Sequence, residues 1–197
     1  MIKLVDLAER GWIPDRLLRV GMRRLLIKRL QQDQSNATES GKLNFVDQMA
    51  ASPLAVATTD ANHQHYEVPT EVFQNMLGPH LKYSCAFYED SATSLADAEL
   101  AMLKLTAERA QLRSGQQILE LGCGWGSFTL FMAAEYPDSH ITAVSNSHSQ
   151  RLYIEAQAVR RGLTNITVIT IDMNNFAPVE KFDRVVSIEM FEHMRNY

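Results

Sequence analysis

Cysteine is scarce in this chain: 197 residues contain only Cys85 and Cys123. Two are too few for a disulfide framework, and they are not spaced as zinc ligands. No apolar run approaches the roughly 20 residues that a membrane-spanning helix needs. The opening Met-Ile-Lys-Leu-Val-Asp-Leu-Ala-Glu-Arg carries acids inside the stretch where a secretory signal would be apolar. Internal repeats are absent too. These absences point to a reduced, cytoplasmic protein, and 46% hydrophobic against 21% charged residues suits a chain that buries a real core.

Charge is uneven along the chain. Residues 1–32 hold eight Lys/Arg against three Asp/Glu, net +5, while the remainder holds eleven against twenty, net −9. A basic arm on an acidic body can touch an anionic surface, at most a peripheral membrane contact. The plainer expectation is a solvated, Arg-rich helix packed beside the core. From Pro14, a favourable first helical position, Leu18, Met22, Leu25 and Leu26 make one stripe. Val20 and Ile27 fall among Arg16 and Arg23 on the other side, a poor segregation for a membrane-surface helix.

Gln31 to Gly41 is rich in Gln, Asn, Ser and Thr and reads as a linker, with a short helix expected around Phe45–Ala51. His63 and His65 have no acidic or cysteine partner at ligand spacing, so they read as surface histidines and no metal is expected. A helix is expected from Pro69 to Gly78, then a connecting segment over 83–93. Ser94 and Asp97 approximate a capping box for a helix running to about Leu112, with Ala98, Met102 and Leu105 buried. This organisation divides the chain into a helical extension with polar linker (1–68), a helical segment (69–115) and an α/β domain (116–197).

From Gln116 the rhythm changes. Strands are expected at Gln117–Leu121, Ile141–Val144, Ile166–Ile171 and Arg184–Ile188, with helices at Phe128–Glu135 and Ser149–Arg161, the second closed by Gly162. Leu152, Ala156 and Val159 suggest the buried face of that helix. Strand–helix–strand order with short links predicts a doubly wound parallel sheet of order 3-2-1-4.

The chemistry begins at Glu120-Leu-Gly122-Cys123-Gly124-Trp-Gly126. Glycines at a strand-to-helix turn let backbone approach a ligand and present helix N-terminal N–H groups. The nicotinamide fingerprint places its third glycine three residues after the second. Here the spacing is two and two, with an acid two residues before the first glycine. That form resembles the S-adenosylmethionine site of Rossmann-like, class I methyltransferases. The second strand ends in Ser145-Asn146-Ser147 and supplies no acid for ribose hydroxyls, which disfavours an NAD-dependent oxidoreductase. Gln150 is then either an amide for the ribose or a surface helix residue.

Tyr83-Ser84-Cys85, the loop from Leu119 to Ser127, Ser145-Asn146-Ser147-x-x-Gln150 and Ile188-Glu189-Met190-Phe191-Glu192-His193-Met194 occur in one order. Together they resemble the cyclopropane-fatty-acid synthase family of S-adenosylmethionine-dependent methyltransferases. The run from His65 to Thr70, Leu81 to Cys85, and Ser187 to Tyr197 is most similar to the coclaurine N-methyltransferase branch. The resemblance implies that Tyr83 and Ser84 cover the methionine end of S-adenosyl-L-methionine and that Gly122, Cys123 and Gly124 lie beneath it. It also implies ribose contacts from Asn146 and Gln150, and an adenine pocket at Asp172, Met173 and Asn174. Asp172 alternatively reads as a helix N-cap.

Methyl transfer to an amine asks for a base to accept the ammonium proton and for a dry, aligned site. Glu189, Glu192 and His193 follow the fourth strand; were that segment helical, their i, i+3, i+4 spacing would put all three on one face. A helix N-terminus would by itself favour one acid there, but not the three groups. In the lipid-synthase branch, the resemblance makes Cys85 and Glu192 ligands of a bicarbonate that accepts the carbocation's proton. The expected function is therefore N-methylation of a small-molecule amine, with methylene transfer to an unsaturated lipid as the alternative and no nucleic-acid partner. Only four strands are found where related folds have about seven. The chain thus reads as a fragment truncated after the fourth strand, for which a non-catalytic role is a further alternative; the oligomeric state is not legible.

Overall fold

The computed structural model describes residues 4–56, 69–88 and 94–196; His63 and His65 lie outside them. The chain divides into two compact units, 1–52 and 53–197, whereas the sequence pattern suggested a boundary at 68.

The first unit is helical, with α1 (Leu4–Glu9), α2 (Asp15–Asn36) and α3 (Glu39–Ala50). Pro14 is the N-cap of α2 and offers no side-chain bond, while the Thr38 hydroxyl caps α3 by accepting the Gly41 N–H at 3.1 Å. The expected linker over 31–41 is therefore helical at both ends, reduced to Ala37 and Thr38. Gln and Ser are only mildly unfavourable in a helix, and the Arg29–Asp33 pair at 3.0 Å spans one turn. Neither α2 nor α3 has a buried residue; of the expected stripe only Leu18 is partly covered, and Leu25 is 69% exposed.

The second unit opens with α4 (Thr70–Met76) and α5 (Leu95–Arg109). The Ser94–Asp97 capping box forms in full: the Ser94 hydroxyl accepts the Asp97 N–H at 3.2 Å and the Asp97 carboxylate accepts the Ser94 N–H at 3.4 Å. The buried face of α5 is Ala98, Glu99, Leu103 and Ala107, with Met102 and Leu105 only half-buried.

Four parallel strands follow: β1 (Gln117–Leu121), β2 (His140–Ser145), β3 (Ile166–Thr170) and β4 (Arg184–Ser187), ordered β3-β2-β1-β4 as expected. Helices α6 (Ser127–Glu135) and α7 (His148–Arg161) make the crossovers. Ile118, Phe128, Met132, Ile141 and Val186 join Leu103 and Ala107 of α5 in the main core. On α7 the buried residues are Gln150, Ile154, Gln157 and Ala158, while Leu152 and Val159 are 53% and 82% exposed. The expected face was the wrong one because two buried glutamines made the true face look polar. Gly162 ends α7 at φ 68°. The register aligns Leu121 with Val144 and Ser187, and Ser145 with Thr170, so the loops after all four strands open on one edge.

Candidate functional site

A pocket of about 230 Å³, open to solvent, lies at that edge, where an open parallel sheet offers strand ends and helix N-termini to a ligand. Gly122 and Gly124 line it after β1, Ser145, Asn146 and Gln150 after β2, Met173 after β3, and Glu189 and His193 after β4.

The glycine turn is built from left-handed backbone: φ is 77°, 52° and 78° at Gly122, Gly124 and Gly126. The N–H groups of Gly122 and Cys123 both donate to the Val144 carbonyl at 3.0 Å, tying the turn to β2. A Cβ on Gly126 would lie 2.6 Å from Ile154 Cγ1, whereas one on Gly124 would meet nothing within 4 Å. Gly126 thus serves helix packing, and Gly124 faces free space that a ligand can fill. Cys123 turns its side chain into a core with Leu130, Ala143 and Ile154, so only its backbone is near the pocket; burial pushes its thiol pKa well up. Glu120 is also buried, 3% exposed, and does not line the pocket. Its Oε2 accepts the Thr129 hydroxyl at 2.5 Å, and burial raises its pKa from 4.5 to about 7, against the smaller opposite effect of that bond.

Where β2 ends without an acid, the chain carries a serine network. The Ser145 hydroxyl donates to Gln150 Oε1 at 2.6 Å and accepts the Ser147 N–H at 3.0 Å; the Ser147 hydroxyl accepts the Gln150 N–H at 3.3 Å. Gln150 is 2% exposed, which removes the surface-residue alternative.

After β3, Asp172 Oδ1 accepts the Asn174 N–H at 2.8 Å and caps the 3₁₀ turn Met173–Asn175. Asn174 is turned elsewhere. Its Oδ1 accepts the Ala55 N–H and its Nδ2 donates to the Ala55 carbonyl, both at 3.0 Å. Ala55 also bridges to Met194, and the Arg195 N–H donates to the Leu54 carbonyl at 2.6 Å. Ala55 and Val56 thereby form one wall of the pocket, a feature that no local sequence signal carries because the partners are 119 residues apart.

The segment after β4 is not an α-helix. Glu189 sits at φ 52° and Met190 precedes a single 3₁₀ turn, Phe191–His193. The shared face of Glu189, Glu192 and His193 is therefore not formed: Glu189 and His193 line the pocket and Glu192 does not. Tyr83, Ser84 and Cys85 also lie outside the lining, although Tyr83 meets Phe73 edge-on at 5.7 Å and Phe73 lies 4.9 Å from Trp125 of the glycine turn. That aromatic contact sets the 83–85 segment beside the turn. Among the described residues no group of three His, Cys, Asp or Glu side chains is arranged to hold a metal, and no helix is long and apolar enough to cross a membrane.

Residues 55–197 match the family of mycolic acid cyclopropane synthetases. (S)-coclaurine N-methyltransferase of Thalictrum flavum subsp. glaucum is 36% identical over 200 residues, which cover 100% of this chain and 55% of that protein. Cyclopropane-fatty-acyl-phospholipid synthase of Escherichia coli K12 is 36% identical over 136 residues, 68% of this chain and 34% of that protein. The crystal structure of coclaurine N-methyltransferase bound to N-methylheliamine and SAH superposes with a TM-score of 0.78 at 38% identity, covering 98% of this chain and 57% of that one. The fold is thus the Rossmann-like fold of class I methyltransferases, and the chain spans about half the length of the curated relatives it matches.

Proposed function

Because the chain belongs to the mycolic acid cyclopropane synthetase family, we propose that it is an S-adenosylmethionine-dependent methyltransferase acting on the nitrogen of a small-molecule amine. The observation that carries this reading is one pocket holding both the open Gly122–Gly124 turn and the Glu189–His193 pair. The residues fit the cofactor on two counts. Free space above Gly124 admits a ligand, and Gln150, its Oε1 engaged by Ser145, leaves Nε2 as donor for a ribose hydroxyl. Asn146 and Met173 complete the nucleoside end in this reading, and Tyr83 with Ser84 covers the methionine end.

S-adenosylmethionine supplies a methyl group already activated on sulfonium. What remains for the protein is alignment, exclusion of water and acceptance of the amine's proton. Glu189 and His193, across the pocket from Asn146 and Gln150 in chain order, serve the acceptor: the carboxylate attracts a cationic amine and the imidazole takes its proton. Glu192 is assigned to the same end in this reading, although it does not line the pocket. The similarity to the Escherichia coli lipid synthase favours the second reading, in which Cys85 and Glu192 hold bicarbonate for an unsaturated lipid acceptor. We assign the protein to the cytoplasm on its two free thiols, with at most peripheral membrane contact through α2.

The test is a product screen by mass spectrometry with methyl-labelled S-adenosylmethionine, offering amines and unsaturated phospholipids side by side. Label on an amine supports the first reading. Label in a lipid overturns it in favour of the second, and none on any acceptor overturns both.

A further inference from the structure

One ionisable side chain beside the site has no part in this chemistry. Lys82 is 6% exposed, and a buried ammonium is costly unless it is held. The turn that puts it inside is itself built around a buried acid. Glu99, on the packed face of α5, accepts the His80 N–H at 3.0 Å and the Lys82 N–H at 3.4 Å. A Cβ on Gly78 would lie 2.4 Å from Glu99 Oε2, so only glycine lets the carboxylate reach in. Between them Leu81 sits at φ 48°, a conformation that leucine rarely adopts and that persists because the Glu99 bonds fix its neighbours.

Turned inward, Lys82 Nζ donates to the Ser84 hydroxyl, its hydrogen-bond partner among the described residues. The groups whose charge it feels are Cys85, Glu189 and Glu99. Burial lowers the Lys82 pKa, and those three groups oppose the effect. The ammonium therefore stands against the 83–85 segment.

We propose that Lys82 is a positioning residue of this site, whose buried ammonium fixes the Ser84 hydroxyl and with it the 83–85 segment. The proposal rests on the methyltransferase reading, because it treats Ser84 as part of the cofactor's cover. Its structural half, the Lys82–Ser84 bond, stands without that reading.

Two measurements on the intact chain separate these. Calorimetric titration with S-adenosylhomocysteine should show Lys82→Met binding about tenfold more weakly than wild type, the scale of a hydrogen bond to a charged group. Lys82→Arg should recover part of the loss, and adding Ser84→Ala to Lys82→Met should cost nothing more. Hydrogen exchange at the Ser84 and Cys85 amides reads the Lys82–Ser84 bond without the cofactor, because that bond holds the segment that carries them. Lys82→Met should speed it several-fold and Lys82→Arg should restore it. Wild-type affinity together with wild-type exchange in Lys82→Met would overturn the proposal. If Lys82→Met does not fold, full affinity in Ser84→Ala overturns it instead. A wild-type chain that binds no S-adenosylhomocysteine while Lys82→Met still speeds exchange removes the methyltransferase reading alone.

Discussion

Glu120→Gln tests how the centre of the sheet is wired. Glu120 lies on β1, opposite Ala143 of β2 and Val186 of β4, and among the described residues only the Thr129 hydroxyl answers its carboxyl group. Burial raises its pKa from 4.5 to about 7. Between those values the folded chain keeps a proton that the unfolded chain has released, so stability falls as pH rises. The contribution is greatest below about pH 4.5 and is fully lost a little above pH 7. The difference between the two values corresponds to about 3 kcal/mol, a large part of the roughly 5–15 kcal/mol that holds a domain together. Glutamine keeps the shape and can still accept the Thr129 bond, but it does not titrate. Urea unfolding, followed by Trp125 fluorescence in a Trp12→Phe background, gives the stability of both proteins across this range. Relative to wild type, Glu120→Gln should gain about 3 kcal/mol between about pH 4.5 and pH 8, then level off. Parallel pH profiles for the two proteins would refute the reasoning.

Gln150→Ala should weaken S-adenosylhomocysteine binding by about 0.5–1.5 kcal/mol, the net value of a neutral hydrogen bond, as read by calorimetry. It should also leave the Ser145 hydroxyl seeking a new acceptor. Asn174→Ala removes both bonds to Ala55 and should destabilise the 54–56 wall by about 1–3 kcal/mol. Hydrogen exchange at the Ala55 amide reads that directly, and unchanged protection there would mean that the bridge to Met194 holds the wall unaided.

The sheet was legible because β-branched runs, the glycine turn and Gly162 all act within a few residues. The capping box at Ser94 was legible for the same reason. The buried face of α7 was not, because Gln150 and Gln157 face inward through contacts with the site and core, where periodicity expects apolar residues. Glu189 defeated the helical reading of the last segment through a positive φ that a glutamate does not advertise. The same holds for Leu81, whose backbone turns Lys82 inward although nothing in Gly-Pro-His-Leu-Lys marks it. A signal for Glu99 did exist: an acid beside Ala98 on a face that also carries Leu103 asks for buried partners. Asn174 fell at the expected place but is spent on Ala55, a pairing visible only once the chain is folded.

The central claim, that the Gly122–Gly124 turn and the Ser145–Gln150 network form a site for S-adenosylmethionine, is tested most directly by calorimetric titration of the chain with S-adenosylhomocysteine and, separately, with NADH. The account predicts saturable binding of S-adenosylhomocysteine, none of NADH, and loss of the first in Gly124→Val with the helical circular dichroism largely kept. Binding of NADH, or equal S-adenosylhomocysteine affinity in wild type and Gly124→Val, would contradict it.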